Sequence, residues 1–580
     1  MRSKWFMFVS LLVLASMLLA SCQTATQPPA AATSAPAAAT SAPAATAAPA
    51  KVEGLRINIG SYPDNLDPQK ASFVNELTHL KLVYEALTRL DKDLKTIPGS
   101  AEKWEYNADA TEVTFTIRKG LKYSDGSLLN AKRFEYSILR NVDPATAGEY
   151  ASITDDIKGA AAWRGADLKA STPEQLKTLK AAVAVTALDA AGKPCTGYDQ
   201  ADCLTLKVGT AAPAPYMHVV LGLWVTFPAK QELIEKGGDT WYMDIKNQIG
   251  NGPMIWTKNE QKVASSFVPN PNYYRGVAKV GINYVYIVDG ATSFAAYKNN
   301  ELDIIGLGAE DLGVAKADAV LAKEIQQYPG SCTFAVMFHQ QKEPFTDPKV
   351  RQAFAQATDR VKWVKDVLKG LGAPTLTWIP KGYPGYDATE ARWGFDSAAA
   401  KKALSESKYG SADKLPAISL TFSDSPRNRT RYEWLAAQWK EVLGVDVKLN
   451  PTEATAYTAL TKNVATAPQV YILGWCADYP DPQNWLSVYW MTGAFGARIA
   501  YSNKDLDALM KKADAELNAD ARMKLYNDAQ KMLTTDLPAA YMWNSVNTYL
   551  VKTAVKGVVT TPQDSDWAGS NDVLTLSVSK

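Results

Sequence analysis

Residues 474–482 read GWCADYPDP. The run that leads into them, QVYILGW (469–475), is apolar and reads as a buried strand. A buried strand seldom ends in a thiol and two carboxylates, here Cys476, Asp478 and Asp481. Asp481 stands between Pro480 and Pro482 and reads as a turn residue. The reading of the chain turns on what Asp478 does at the tip of a core strand, two residues after a thiol.

The thiol is the easier half. The chain has 5 Cys. Cys22 ends a segment with a charged start, Arg2 and Lys4, and an apolar stretch from Trp5 to Ala20, too short for a span and flanked like a secretory signal. Leu19-Ala20-Ser21-Cys22 resembles the bacterial lipobox, which implies cleavage before Cys22 and acylation of its thiol; the alternative is a plain signal peptide with a chance cysteine. Four cysteines then remain, an even number in an exported chain, which implies disulfides. Cys195 and Cys203 flank the polar turn CTGYDQADC, so a local pair is natural, leaving Cys332 for Cys476. The alternative is four free buried thiols.

Residues 22–53 follow the signal segment 1–21. They are rich in Ala, Pro, Ser and Thr, with AATSAPA nearly repeated, and bury no core. They read as a disordered tether that holds a soluble body near a membrane while letting it reorient. From residue 54 on the composition is that of a globular protein, with 47% hydrophobic and 21% charged residues over the whole chain. The formal net charge of +2 and the lack of a basic stripe argue against a nucleic-acid partner. The 16 Trp and 27 Tyr suit a core plus a binding cleft, where a ring can keep one end wet.

Along the body, GLRINIG (54–60) and EVTFTI (112–117) alternate as strands. VNELTHLKLVYEAL (74–87) and NAKRFEYSILRNV (130–142) read as helices, the second capped by Asn130. TDPKVRQAFAQATDRVKWVKDVLKG (346–370) reads as one amphipathic helix started by Asp347-Pro348. YEWLAAQWKEVLGVDVKL (432–449) is helix, glycine turn and strand, and two helices follow in 503–538. Mixed elements without internal repeats indicate α/β lobes. The catalytic signatures are missing: no G-x-S-x-G, H-E-x-x-H, P-loop or dinucleotide fingerprint. GNGP (250–253) reads as a turn. The 3 His are scattered, so no metal site and no cofactor are expected. Asp478 and Asp481 as a glycosidase pair is the enzyme reading, and it is rejected for want of any other signature.

Eight stretches in order resemble the solute-binding proteins of ABC importers, specifically the dipeptide/oligopeptide-binding family: NLDPQ (65–69), TFTIRKGLKYSDGSLLNAKRFEYSILRNVDP (114–144), IGNGPM (249–254), PNPNYYRG (269–276), AYKNNELDI (296–304), EPFTDPKVRQAFAQATDR (343–360), GWCADYPDPQNWL (474–486) and DLPAAYMW (536–543). The resemblance implies a two-lobed α/β periplasmic-binding-protein fold (class II, cluster C) with the ligand buried between lobes. It implies lobe I from 54–84, 226–331 and 547–580, an additional domain from 85–225, and lobe II from 332–546. It implies that Asp478 binds the α-ammonium of a peptide, and it independently pairs Cys332 with Cys476. Tyr150 matches a cleft tyrosine, Ser72, Phe73 and Val74 a segment whose backbone faces the ligand, and Tyr457 the place of a cleft tryptophan. Trp475 adjoins the aspartate and either lines the pocket or fills core, and Cys476 lies between them in the motif. One departure stands out: Ile472 occupies the position where oligopeptide binders carry an arginine for the ligand carboxylate. The function implied is a lipid-anchored, monomeric peptide receptor that closes on its ligand and delivers it to membrane permease subunits. An oligosaccharide receptor of the same family, and a sensory receptor without transport, are the alternatives.

Overall fold

The computed structural model describes residues 54–579. Cys22, the signal segment and the tether lie outside the described residues. The body is built on an 11-stranded sheet whose order runs Val447–Thr452, Ile418–Ser423, Val470–Cys476, Ile325–Phe338, Ala539–Val551, Ile304–Gly306, Gly54–Asn58, Gly281–Val285, Ala264–Pro269 and Met254–Glu260, with Gly372–Pro374 also on Ala539–Val551.

Two long antiparallel strands, Ile325–Phe338 and Ala539–Val551, run through both halves of this sheet. Their register shifts between Pro329 and Thr333. On one side of that break Ile325–Pro329 pairs with Val546–Leu550, and the outer face of the latter leads to Ile304–Gly306 and Gly54–Asn58. On the other side Thr333–Met337 pairs with Ala539–Asn544 and leads to Val470–Cys476. A bulge locally disrupts the ladder and bends the strand, so one sheet serves two lobes. The cores follow the same division. Leu55, Ile57, Ile282 and Tyr284 belong to a cluster shared with the four-stranded sheet of residues 101–209. Val336, Phe354, Leu420 and Trp439 form a second cluster, and Met337, Tyr471, Trp485 and Tyr541 a third on the opposite face. Gly54–Asn58 pairs in parallel with Gly281–Val285, and Ile418–Ser423 pairs in parallel with Val447–Thr452 across the helix Pro426–Leu443.

Several local readings change. The stretch 346–370 forms two helices, Pro348–Gln356 and Arg360–Asp366. The break falls at 357–359 because Asp359 caps the second helix, its carboxylate accepting from Lys362 N–H at 2.9 Å. Val74 begins a helix as expected, but it ends at Val83 and Tyr84 is already extended. Here the GNGP loop decides. A Cβ on Gly250 would lie 2.0 Å from the Val83 carbonyl oxygen, so only glycine lets this loop rest on the chain at 83. The Asn251 side chain then binds both Glu85 backbone groups, at 3.0 and 2.9 Å, and holds residues 84–90 out of the helix. Finally, the strand of the opening motif is buried only at Val470 and Tyr471; Ile472 to Trp475 are half-buried and Cys476 is exposed. It leaves the core rather than ending in it. No described helix is long and apolar enough to cross a membrane.

Candidate functional site

A cavity of about 450 Å³ opens where the strand Val470–Cys476 emerges. Its wall on this side runs from Gly474 through Pro480 and includes Ser331. The facing walls come from 72–90, Tyr150, 222–227 and the C-terminal stretch 563–574. A concave space of a few hundred Å³ with aromatic walls and a few polar groups is the usual form of a ligand site. Ser72, Phe73, Val74, Tyr150, Trp475, Cys476 and Asp478 all line it. Tyr457 does not: its hydroxyl donates to the Ile472 carbonyl at 3.0 Å beneath the strand. Ile472 does not line it either, and packs at the edge of the second cluster.

Asp478 is held from several directions. Its N–H donates to Asn484 Oδ1 at 3.1 Å, and Asn484 Nδ2 donates back to its carboxylate at 3.0 Å. Asn484 Oδ1 also accepts from Trp475 Nε1 at 3.2 Å. A single fully buried side chain thus fixes both the aspartate and the indole. Asn484 is in place because Asp481 caps the short helix Pro482–Trp485, accepting from Gln483 N–H, while its other contact is a two-pronged ion pair with Arg522 at 2.7 and 2.8 Å. The carboxylates of the motif therefore divide: Asp481 is structural and already neutralised, whereas Asp478 has no cation paired with it among the described residues. Burial pushes the Asp478 carboxyl up to about 6, against the opposing pull of its hydrogen bonds from Asn484 and Tyr150. Tyr150 is raised above the ordinary phenol range, by burial first and by Asp478 second. Its ring packs on Trp224 at 5.1 Å, and Trp224 Nε1 donates to Ala71 C=O, which ties Tyr150 to the 72–74 segment.

In that segment the Ser72 and Phe73 amides donate to the Glu76 carboxylate, at 2.7 and 3.0 Å. What it presents to the cleft is apolar surface: Phe73 is 62% and Val74 52% exposed. Trp475 does both things the sequence left open. It lines the cavity and packs on Tyr489 at 5.3 Å and Phe495 at 4.9 Å. Cys476 is bonded to Cys332, its partner directly across the ladder, and Cys195 to Cys203. The opposite edge of the strand meets Ile418–Ser423 only at Leu420 and Val470. Beyond that bridge no described strand covers the edge from Ile472 to Cys476.

The sequence reading missed Asn484, Trp224 and Ser331. Asn484 carried the only signal, as a polar residue in the apolar end of GWCADYPDPQNWL. The other two are brought to the site by tertiary structure alone.

Residues 95–497 match the family model for bacterial extracellular solute-binding proteins, family 5, middle part. The chain belongs to this family. As a family 5 solute-binding protein it binds a solute rather than transforming one. The dipeptide-binding protein DppE of Bacillus subtilis is 28% identical over 540 residues, which cover 90% of this chain and 93% of that protein. The periplasmic oligopeptide-binding protein OppA of Escherichia coli is 30% identical over 519 residues, covering 88% and 90%. Among solved structures, the Haemophilus influenzae OppA complex with the peptide RPPGFSPFR superposes with a TM-score of 0.69 at 26% identity, over 91% of this chain and 99% of that one. The Escherichia coli murein tripeptide-binding protein MppA gives 0.72 at 25%, over 92% and 99%. The two-lobed periplasmic-binding fold of the family is the fold of this chain.

Proposed function

We propose that this protein is the lipid-anchored peptide receptor of an ABC importer. The observation that carries the reading is Asp478: a carboxylate held by Asn484 and Tyr150, with no cation paired to it among the described residues, and lining the cavity. Such a group is a waiting counter-ion, and the α-ammonium of a peptide is the cation that fits a strand tip. The strand edge at 474–476, which lines the cavity, supports an extended ligand, whose main chain can add to a sheet edge and gain affinity without reading side chains. The relatives named for dipeptides and oligopeptides agree with this class of solute.

In this reading, lobe I comprises 54–84, 226–331 and 547–580, the additional domain 85–225, and lobe II 332–546. Closure is driven by a ligand that touches Asp478 on one side and Tyr150 and Phe73 on the other. Cys22 and the tether support anchoring at the outer face of the cell membrane, from which the closed monomer is handed to permease subunits. Calorimetry with an alanine peptide series from two to five residues tests the solute. Binding by at least one length, lost when that peptide is N-acetylated, is expected. Equal binding of the acetylated and free peptides would overturn the amine anchor.

A further inference from the structure

We propose that Arg89 is the carboxylate-recognising residue of the cleft, contributed by the additional domain's side of the cavity rather than by the strand that carries Asp478. The inference rests on the peptide reading and adds the second charged end of the ligand. A peptide is a zwitterion, so a cleft that supplies a carboxylate for its amine must leave its own carboxylate in water or meet it with a cation. The strand Val470–Cys476 supplies no cation. It has Ile472 at the position of interest, and Ile472 lies outside the cavity wall.

Three cations line the cavity: Lys81, Arg89 and Arg275. Arg275 is used, since its guanidinium donates to the Asp572 carboxylate at 2.8 Å. Lys81 is hydrogen-bonded to Ser565 and Asn571 at 3.4 and 3.5 Å, with Asp564 and Asp566 nearby but neither ion-paired to it. Arg89 differs from both. Its guanidinium makes no hydrogen bond or ion pair among the described residues, and its Nε is buried without an acceptor. The acidic neighbour, Glu85, accepts from the Tyr273 hydroxyl through one oxygen while its other oxygen is buried without a donor, and it forms no ion pair with Arg89. A guanidinium is a rigid planar donor fork, and leaving such donors unmet next to a cavity is costly. A carboxylate of the ligand satisfies them, with two parallel N–H···O bonds.

The backbone holds Arg89 in position. It sits on the strand Thr88–Leu90, paired with Ile97 of Thr96–Pro98, and the residues at the start of this hairpin are clamped by Asn251. Leu90 and Leu94 of the same hairpin pack with the cluster of Tyr471, Trp485 and Tyr489. Arg89 therefore stands where the hairpin meets the lobe that carries Asp478.

The test is calorimetry on the wild-type protein, Arg89→Gln and Arg89→Lys, using the tightest member of the alanine series as free acid and as C-terminal amide. A second pair, the amide with Glu or with Gln at its second position, separates a terminal carboxylate from a side-chain one. In the wild type, one of the two carboxylates is expected to raise affinity roughly 10- to 100-fold over its neutral counterpart. That ratio is expected to fall to near one in Arg89→Gln and to recover partly in Arg89→Lys. The proposal is overturned when both ratios in Arg89→Gln equal those of the wild type, or when both are already one in the wild type. The wild-type free acid and its N-acetylated form, run alongside, identify which reading has failed: amine-dependent binding with flat carboxylate ratios removes Arg89 alone, whereas no binding of any peptide removes the peptide reading and Arg89 with it.

Discussion

Replacing Asp478 by Asn separates a binding role from a structural one, because the two roles predict opposite signs. Asparagine keeps the shape and can still accept from Asn484 through its single oxygen, but it carries no charge. In the ligand-free protein the carboxylate is penalised: its pKa rises from 3.8 to about 6, chiefly through burial. A group raised in this way binds more protons folded than unfolded between those two values. Stability therefore falls as pH climbs from 3.8 through about 6, and above that the penalty is complete. Two units amount to roughly 3 kcal/mol at 1.36 kcal/mol per unit, an upper bound that partial exposure of the side chain reduces. Asp478→Asn removes this penalty, so at pH 7.5 the empty variant is expected to melt no lower than the wild type, and up to several degrees higher. Peptide affinity moves the other way. A buried ammonium that loses its only counter-ion costs about 2–5 kcal/mol, or roughly 30- to 5,000-fold in Kd. Thermal melts of the empty protein and calorimetry with peptide, on the same preparations, read both. A variant that loses stability and affinity together would refute the reasoning, since Asp478 would then be a support of the fold. So would a variant with unchanged affinity.

Further outcomes follow from the same geometry. Peptide affinity is expected to weaken as pH falls below about 6, by up to tenfold per unit as Asp478 takes a proton, and calorimetry from pH 5 to 8 is expected to show no such slope in Asp478→Asn. Asn484→Leu leaves the Asp478 amide and the Trp475 indole without their shared acceptor, so a loss of about 2–4 kcal/mol in denaturant unfolding and a clear loss of affinity are expected together. Removing the Cys332–Cys476 bond, which closes a separation of 144 residues, is expected to cost about 5 kcal/mol in the chain-entropy model. Removing Cys195–Cys203, with a separation of 8, costs about 2.5 kcal/mol, so the paired-serine variants should melt in that order. Tyr150→Phe keeps the ring on Trp224 but removes a donor to Asp478, and a drop in peptide affinity of roughly fivefold to tenfold is expected in titrations.

Most of the individual elements were legible because they rest on local rules, whereas the two-lobed arrangement was legible only through the family resemblance. Alternation marked Gly54–Asn58 and Glu112–Ile117, and Asn130 and Asp347 announced their helices by capping chemistry that operates within three residues. The split of 346–370 was a local cap overlooked at Asp359; elsewhere a distant contact had overruled the local pattern. The helix beginning at Val74 stops early because the loop at 250–252 lies on it, and helical periodicity alone cannot show that. The strand of the opening motif carries an apolar pattern through Trp475 yet leaves the core after Tyr471, since its outer residues face a cleft formed by segments hundreds of residues away. The site divides in the same manner. Asp478 and Trp475 announce themselves through an odd composition at a strand end. Asn484, Trp224 and Arg89 are ordinary residues in ordinary elements, and only the fold shows that one fixes the aspartate, one carries Tyr150, and one stands in the cavity without a partner.

The central claim is that the cavity holds a peptide by its amine. Native mass spectrometry of the body from Gln23 to Lys580, purified without denaturation, addresses it most directly. The account predicts adducts of peptide mass that are released on gentle unfolding, with sequences that vary while a free amino terminus is constant, and their loss in Asp478→Asn. An empty wild-type protein that no peptide loads, and whose Tm rises instead with oligosaccharides, would contradict it.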